Sequence, residues 1–425
     1  MLSQSFLGIN LLQSFFGVSL FFFLLRNKID FLLLFFLSTS LYCWQIIYGR
    51  IWVPPYSFDA SDESKTIVLI ILSVLFCFTI FNDLLLKGKQ ELEYDKKDEG
   101  DAVVFFLVLM ALSYLSCLIA VINIGPNLLD ISKKSFVAQS GLPFFFFIYY
   151  PAAMACLFFL TSKRYQYAFY AAIPLIFYVF VGFRAAAVIT FITGFFIFYY
   201  NQRIFNLKLY KPLLVVSSVF AFFVIYKFSY IGLKLGDLST IATIIEQDPR
   251  FGSFLEFFAY AAFSAEFGQA ASNLSLSSAI DLSQEYSFKD AFVGSIPMVD
   301  FITGIDEEKS RFSTVIEGYA NPGFSYGLGS SIWGEMYQAG GYGAVAILAI
   351  FIIFLILQFN LSFLRSKNKF VLFTFFIGFL SFYVHRNDFV LITGHMKNIV
   401  ILTSIGLIFF WSFKNKVSLQ PFIRN

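Results

Sequence analysis

The sequence predicts an all-α polytopic integral membrane protein of about eleven transmembrane helices with one large loop on the outer face. Three observations predict it. The 425 residues are 58% hydrophobic and only 13% charged, against roughly 25% charged in soluble domains. Apolar runs recur at the roughly 17–25 residues that cross a hydrocarbon core. One polar stretch of about a hundred residues, Ile231 to Leu328, interrupts them, far longer than the ~2–8 residues that ordinarily join packed helices.

In chain order the expected spans are 5–25, 30–49, 66–86, 102–124, 143–161, 166–183, 185–200, 212–230, 341–361, 370–385 and 393–413. The first has no positive n-region and no small-residue cleavage site, so it reads as a retained span. Only Gly182-Phe183-Arg184 separates the sixth from the seventh. A hairpin with its tip at Arg184 is one solution; a single broken helix, which would reverse everything upstream, is the other. The organisation that follows is an N-terminal bundle over 1–230, the large loop over 231–340, and a C-terminal bundle over 341–425.

Sidedness follows from charge. With eleven spans, Arg26/Lys28, Lys87/Lys89/Lys96/Lys97, Lys163/Arg164, Arg203/Lys208/Lys211, Arg365/Lys367/Lys369 and Lys414/Lys416 share one side. The N-terminus is then outside and the C-terminus cytoplasmic. The large loop, with thirteen acidic against five basic residues between 231 and 328, faces the exterior or periplasm. Within it, Phe251 to Phe267 is apolar at helical spacing but carries Glu256 and Glu266. Acidic groups at the bilayer centre are costly, so this is an amphipathic surface helix rather than a twelfth span. The stretch Ala271 to Ser278 reads as polar and flexible.

Polar residues at span ends are the candidates for chemistry. Arg184 sits at membrane depth, where a guanidinium either snorkels or faces a cavity and pairs with an anion; its planar fork matches phosphate oxygens. His385-Arg386-Asn387-Asp388 closes the tenth span, either as an ordinary helix-capping pair or with Arg386 on an anion and His385 as acid/base or as an orienting residue. His395 and Lys397 follow on the next span's outer end and could line the same cavity, His395 reading more simply as a bystander. In the loop's last third, Arg311 is an anion-binding candidate and Glu317 and Glu335 are general-base candidates. Tyr319, Tyr326, Trp333 and Tyr337 present flat faces and polar edges that suit sugars. The alternative for this segment is an interfacial aromatic belt. Gly340-Gly341-Tyr342-Gly343 opens the ninth span, consistent with close helix packing.

Other chemistries find little support. Each of the four cysteines lies alone inside a span, as a small apolar side chain. No GxGxxG, Walker or HExxH pattern occurs, and no basic stripe suggests nucleic acid. Asp59, Asp62 and Glu63 are acidic but lack a tight metal-ligand spacing, so they read as solvated loop charges. No internal repeat is visible, which weakens a transporter.

The run Gly327-Leu-Gly-Ser-Ser-Ile-Trp-Gly-Glu-Met-Tyr-Gln-Ala-Gly-Gly-Tyr-Gly to Gly343, with Gly182-Phe183-Arg184 and Arg386-Asn387-Asp388, resembles the O-antigen polymerase family, the Wzy-like repeat-unit polymerases. The plan of about eleven or twelve spans with a major periplasmic loop before the last three matches along nearly the whole chain. The resemblance implies a multi-pass protein of the bacterial inner membrane. Its implied activity is a metal-independent, cofactor-free glycosyl transfer between undecaprenyl-pyrophosphate-linked oligosaccharides, which are both donor and acceptor. Membrane lipids and a chain-length-determining co-polymerase are the partners it admits. Arg184, Arg311 and Arg386 would stabilise the departing pyrophosphate, with Glu335, His385 or Glu317 as base. An O-antigen ligase, sharing the large late loop, is the nearest alternative; another lipid-linked-sugar glycosyltransferase and a polysaccharide flippase stand behind it.

Overall fold

A computed structural model describes residues 2–53, 56–86, 99–128, 149–200, 202–204, 267–282, 312–317, 331–365 and 371–414, with a few single positions elsewhere. The described part is helical except for one small sheet. Its helices are α1 (Leu2–Arg26), α2 (Phe31–Tyr48), α3 (Asp62–Leu86), α4 (Glu99–Ile124), α5 (Tyr150–Thr161), α6 (Tyr165–Val181), α7 (Ala185–Phe198), α8 (Phe267–Ala279), α9 (Phe312–Glu317), α10 (Ile332–Arg365), α11 (Val371–Phe382) and α12 (Phe389–Lys414). Five contain stretches long and apolar enough to cross a membrane: Phe31–Tyr48, Asp62–Leu85, Gly100–Ile124, Ile332–Ser362 and Phe389–Ser412. Shorter apolar helices pack among them, giving the architecture of a multi-pass membrane protein. The expected span 212–230 lies outside the described residues.

Local chemistry sets the boundaries. Asp30 caps α2 by accepting the Leu33 N–H at 3.0 Å, filling one of the helix's orphan donors. Gly49 ends the helix in the left-handed region with φ 90°, as a C-terminal glycine can. A two-stranded antiparallel sheet follows, β1 (Arg50–Val53) on β2 (Tyr56–Asp59), an element the all-α expectation lacks. Gln45 reaches up from α2 to accept the Trp52 N–H at 3.0 Å.

The Arg184 ambiguity resolves as a reversal of the chain. Gly182 is left-handed, φ 111°, and its N–H turns back to Tyr178 and Val179. A side chain at Gly194 would meet Leu160 at 3.1 Å. Both positions are late in their helices, so α5 and α7 run parallel and α6 returns between them.

Several turns rich in cations converge at one end. Arg26 Nη2 bonds Asp30 at 2.5 Å and Arg26 Nε bonds Asp83 at 2.7 Å. The Ile29 N–H donates to Gln202 O at 3.0 Å, and Tyr200 Oη donates to Asn360 O at 3.3 Å. The small sheet, the start of α3 and α8 occupy the opposite end, where the Ser61 N–H donates to Ser275 Oγ at 2.9 Å.

Two expectations are corrected. Ala271 to Ser278 is the body of α8, buried against α2, α3, α10 and β1. Ser277 and Ser278 donate back to Leu274 O and Ser275 O, each at 3.1 Å, so a serine-rich helix keeps its hydroxyls satisfied while packed. Gly341 and Gly343 have open space where a side chain would stand, so helix packing is not what these two glycines serve. Gly340 and Gly341 instead break α10, Gly341 with φ 64° and ψ −161°, a conformation open essentially to glycine alone.

Candidate functional site

The site begins with a helix that stops early. α11 has 12 residues, roughly 18 Å at 1.5 Å per residue, against about 30 Å of hydrocarbon. Its end is level with the middle of α2, since Ser38 Oγ donates to Ser381 O at 2.6 Å. Tyr48, the far end of α2, lies roughly 15 Å further along the axis. The turn from Tyr383 to Phe389 is therefore recessed, and α8 and the start of α10 cover the remaining half of α2.

Tethers hold that turn from several directions. The Asn387 N–H donates to Val384 O at 3.2 Å, and Asn387 Nδ2 donates to Tyr383 O at 2.6 Å. Asp388 caps α12 by accepting the Leu391 N–H at 2.8 Å. The Phe389 N–H donates to Glu335 Oε2 at 2.6 Å, and Tyr286 Oη donates to Glu335 Oε1. Glu335 is wholly buried at the N-terminus of α12, where backbone N–H groups and the helix dipole favour an anion.

His385 lies at the centre. Trp333 Nε1–H donates to its Nδ1 at 2.9 Å. Its Nε2 lies 3.1 Å from Ser38 Oγ and 3.2 Å from Thr39 Oγ1. An indole nitrogen only donates, so Nδ1 accepts and Nε2 carries the proton. The Ser38 and Thr39 hydroxyl protons go to carbonyls, Thr39 Oγ1 donating to Phe35 O at 2.8 Å, which leaves both oxygens free to accept from Nε2–H. Phe35, Tyr42 and Trp333 enclose the ring at centroid distances of 5.1, 5.7 and 5.7 Å. This corrects the acid/base expectation: both ring nitrogens are engaged, so neither meets a substrate proton.

Beside this core Arg386 lies within electrostatic reach of Arg184. Arg386 sits over the Tyr383 ring, 5.9 Å from its centroid. Burial holds its guanidinium below the ordinary range, the Tyr42 hydroxyl opposes that, and the charge of Arg184 adds to it. Arg184 caps the start of α7, directly after the Gly182 reversal. Two like charges within electrostatic reach, both partly buried, form a place an anion would stabilise.

The remaining candidates separate. Trp333 is fully buried with its N–H bound to His385, which corrects its reading as a sugar platform, since stacking needs an open face. Tyr337 is partly exposed and lies against Tyr342, ring centroids 4.9 Å apart and planes tilted by 53°, within electrostatic reach of Glu63. His395 sits apart from His385, bonded through Nδ1 to Tyr150 and, at 3.4 Å, to Tyr149. Arg311, Tyr319 and Tyr326 lie outside the described residues, as does the Glu317 side chain. Sequence reading missed Tyr286, Tyr383, Ser38 and Thr39. The last two stand out only as hydroxyls inside a Leu- and Phe-rich span.

No family model, curated protein or solved structure matches the chain.

Proposed function

We propose that the chain is an inner-membrane glycosyltransferase that polymerises undecaprenyl-pyrophosphate-linked oligosaccharide repeat units into an O-antigen or capsule-type polysaccharide at the periplasmic face. The observation that supports this reading is Arg386 over the Tyr383 ring, in a turn level with the middle of α2 and within electrostatic reach of Arg184. A lipid carrier keeps its chain in the bilayer, so its pyrophosphate is met near that depth by cationic donors rather than in open solvent.

In the proposed reaction an acceptor hydroxyl oxygen bonds to the anomeric carbon as the C–O bond to pyrophosphate breaks. The electron pair leaves on the pyrophosphate oxygen, where the two guanidinium groups stabilise the growing charge. The hydroxyl proton goes to Glu335. Each Glu335 oxygen accepts one hydrogen bond, and a carboxylate has about four lone-pair sites, so acceptor capacity is left. The glycine break at 340–341 separates the Glu335 segment from the span, so the carboxylate is placed by its bonds to Tyr286 and Phe389. Arginine supplies the positive charge, so the proposed step calls for no metal.

The test is glycan analysis of a deletion strain. A polymerase mutant displays surface glycan of a single repeat unit. Accumulated lipid-linked polymer would instead indicate a ligase, and absence of exported glycan a flippase.

A further inference from the structure

Within the turn that carries Arg386, the adjacent residue His385 has an unusual set of partners. They come from α2 (Ser38, Thr39) and from the start of α10 (Trp333). Three chain segments far apart in sequence therefore close on one imidazole ring. The ionisable groups near it are Tyr42 from α2, Glu335 from α10, Tyr383, Arg386 and Asp388 from its own turn, and Arg184 beyond Arg386. A second proton on the ring would have to sit on Nδ1, facing a Trp333 N–H that can only donate. The neutral Nε2–H tautomer is the one form that satisfies every partner.

We infer that His385 is a positioning residue: the Trp333–His385–Ser38/Thr39 chain locks the 383–389 turn to α2 and to the Glu335 segment, and so sets where Arg386 meets the anion. The inference rests on the anion reading above and assigns His385 a task different from proton transfer. It also explains why a histidine, rather than an apolar residue, occupies this buried place. The ring must accept on one side and donate on the other, which no apolar side chain does.

The chain has two histidines, so 15N-histidine labelling of the full-length protein in detergent gives two imidazole spin systems, assigned with His395→Gln. The expected His385 signature is the Nε2–H tautomer, unchanged from pH 5.5 to 8. In Trp333→Phe the tautomer should become mixed. Inorganic pyrophosphate is the probe for the second readout, followed by thermal shift. Trp333→Phe should weaken its apparent affinity by about tenfold, the scale of a buried polar group left unpaired. Ser38→Ala, a smaller change on the other nitrogen, should weaken it in the same direction and guards against a Trp333→Phe protein that fails to fold.

An Nδ1–H tautomer, or a wild-type His385 that titrates in this range, overturns the tether. A retained wild-type affinity in both variants overturns its positioning role. If the wild-type protein itself takes no stabilisation from pyrophosphate, the anion site fails, and the positioning role with it; the NMR result decides the tether separately.

Discussion

The Glu335 carboxylate accepts the Phe389 backbone N–H at 2.6 Å, joining the first turn of α10 to the first turn of α12 across a gap in the sequence that holds a whole membrane helix. This one bond keeps the proposed base beside the turn that bears Arg386. Glu335→Gln leaves the size unchanged and removes the charge. We expect it to lower the rate of polymerisation of purified lipid-linked repeat units by about 100-fold or more, within the range for general bases. A wild-type rate in Glu335→Gln would remove the residue from the chemistry.

Arg184→Ala and Arg386→Ala should each abolish polymer while leaving protein level and single-repeat glycan intact. Lysine at either place should recover little, because a point charge does not reproduce a bidentate fork. Gel profiles of surface glycan read the outcome. Normal polymer lengths in both alanine variants would reduce the pair to interfacial anchors.

Arg26 bridges Asp30 and Asp83, with the Arg26 and Asp30 side chains only 4% and 1% exposed. Arg26→Ala leaves the Asp30 charge buried without that partner, which costs about 3–5 kcal/mol for pairs of this kind. Asp83 is 35% exposed, and its loss leaves Arg26 still paired with Asp30, so Asp83→Asn should cost about 1 kcal/mol or less. Thermal unfolding in detergent compares the two. Equal losses would contradict the burial difference.

Gly334 faces Ser277 of α8 so closely that an added side chain would overlap the serine hydroxyl and meet its Cβ at 3.0 Å. Gly334→Val should destabilise by about 1–3 kcal/mol, as overpacking does. Gly334→Ala should be milder, and Ser277→Ala should recover part of its loss. No rescue by Ser277→Ala would mean the two helices do not meet there.

Reporter fusions after Gly100, Arg164 and Asn368 should report cytoplasm, and fusions after Asp59 and Ser278 periplasm. The bond between Ser61 and Ser278, 2.9 Å between hydroxyls, ties the last two to one end. A cytoplasmic signal at Ser278 would move the proposed site to the wrong face.

Much of the bundle was legible in the sequence because membrane spans are written in composition and length. The 66–86 and 102–124 expectations end where α3 and α4 end. The positions of Arg184 and Arg386 at helix ends were legible too, since a cation there stands out against apolar neighbours. Depth was not. Nothing in Val371 to Phe382 says that the helix stops level with Ser38, because that depends on a partner more than three hundred residues away. The role of His385 was hidden for the same reason: its bond to Ser38 spans 347 positions. Serine's weak helix propensity disguised α8, whose stability comes from the groove between α2, α3 and α10.

The early stop of α11 has one more consequence. Where an apolar helix ends halfway along a membrane-length neighbour, water and ions would find a shortcut unless something else fills the remaining depth, and here α8 packs along that half of α2. By that packing the segment would complete the seal where α2 crosses the membrane. A chain trimmed of it should leak, so the loop cannot be exchanged between proteins as a detachable module without carrying the seal along.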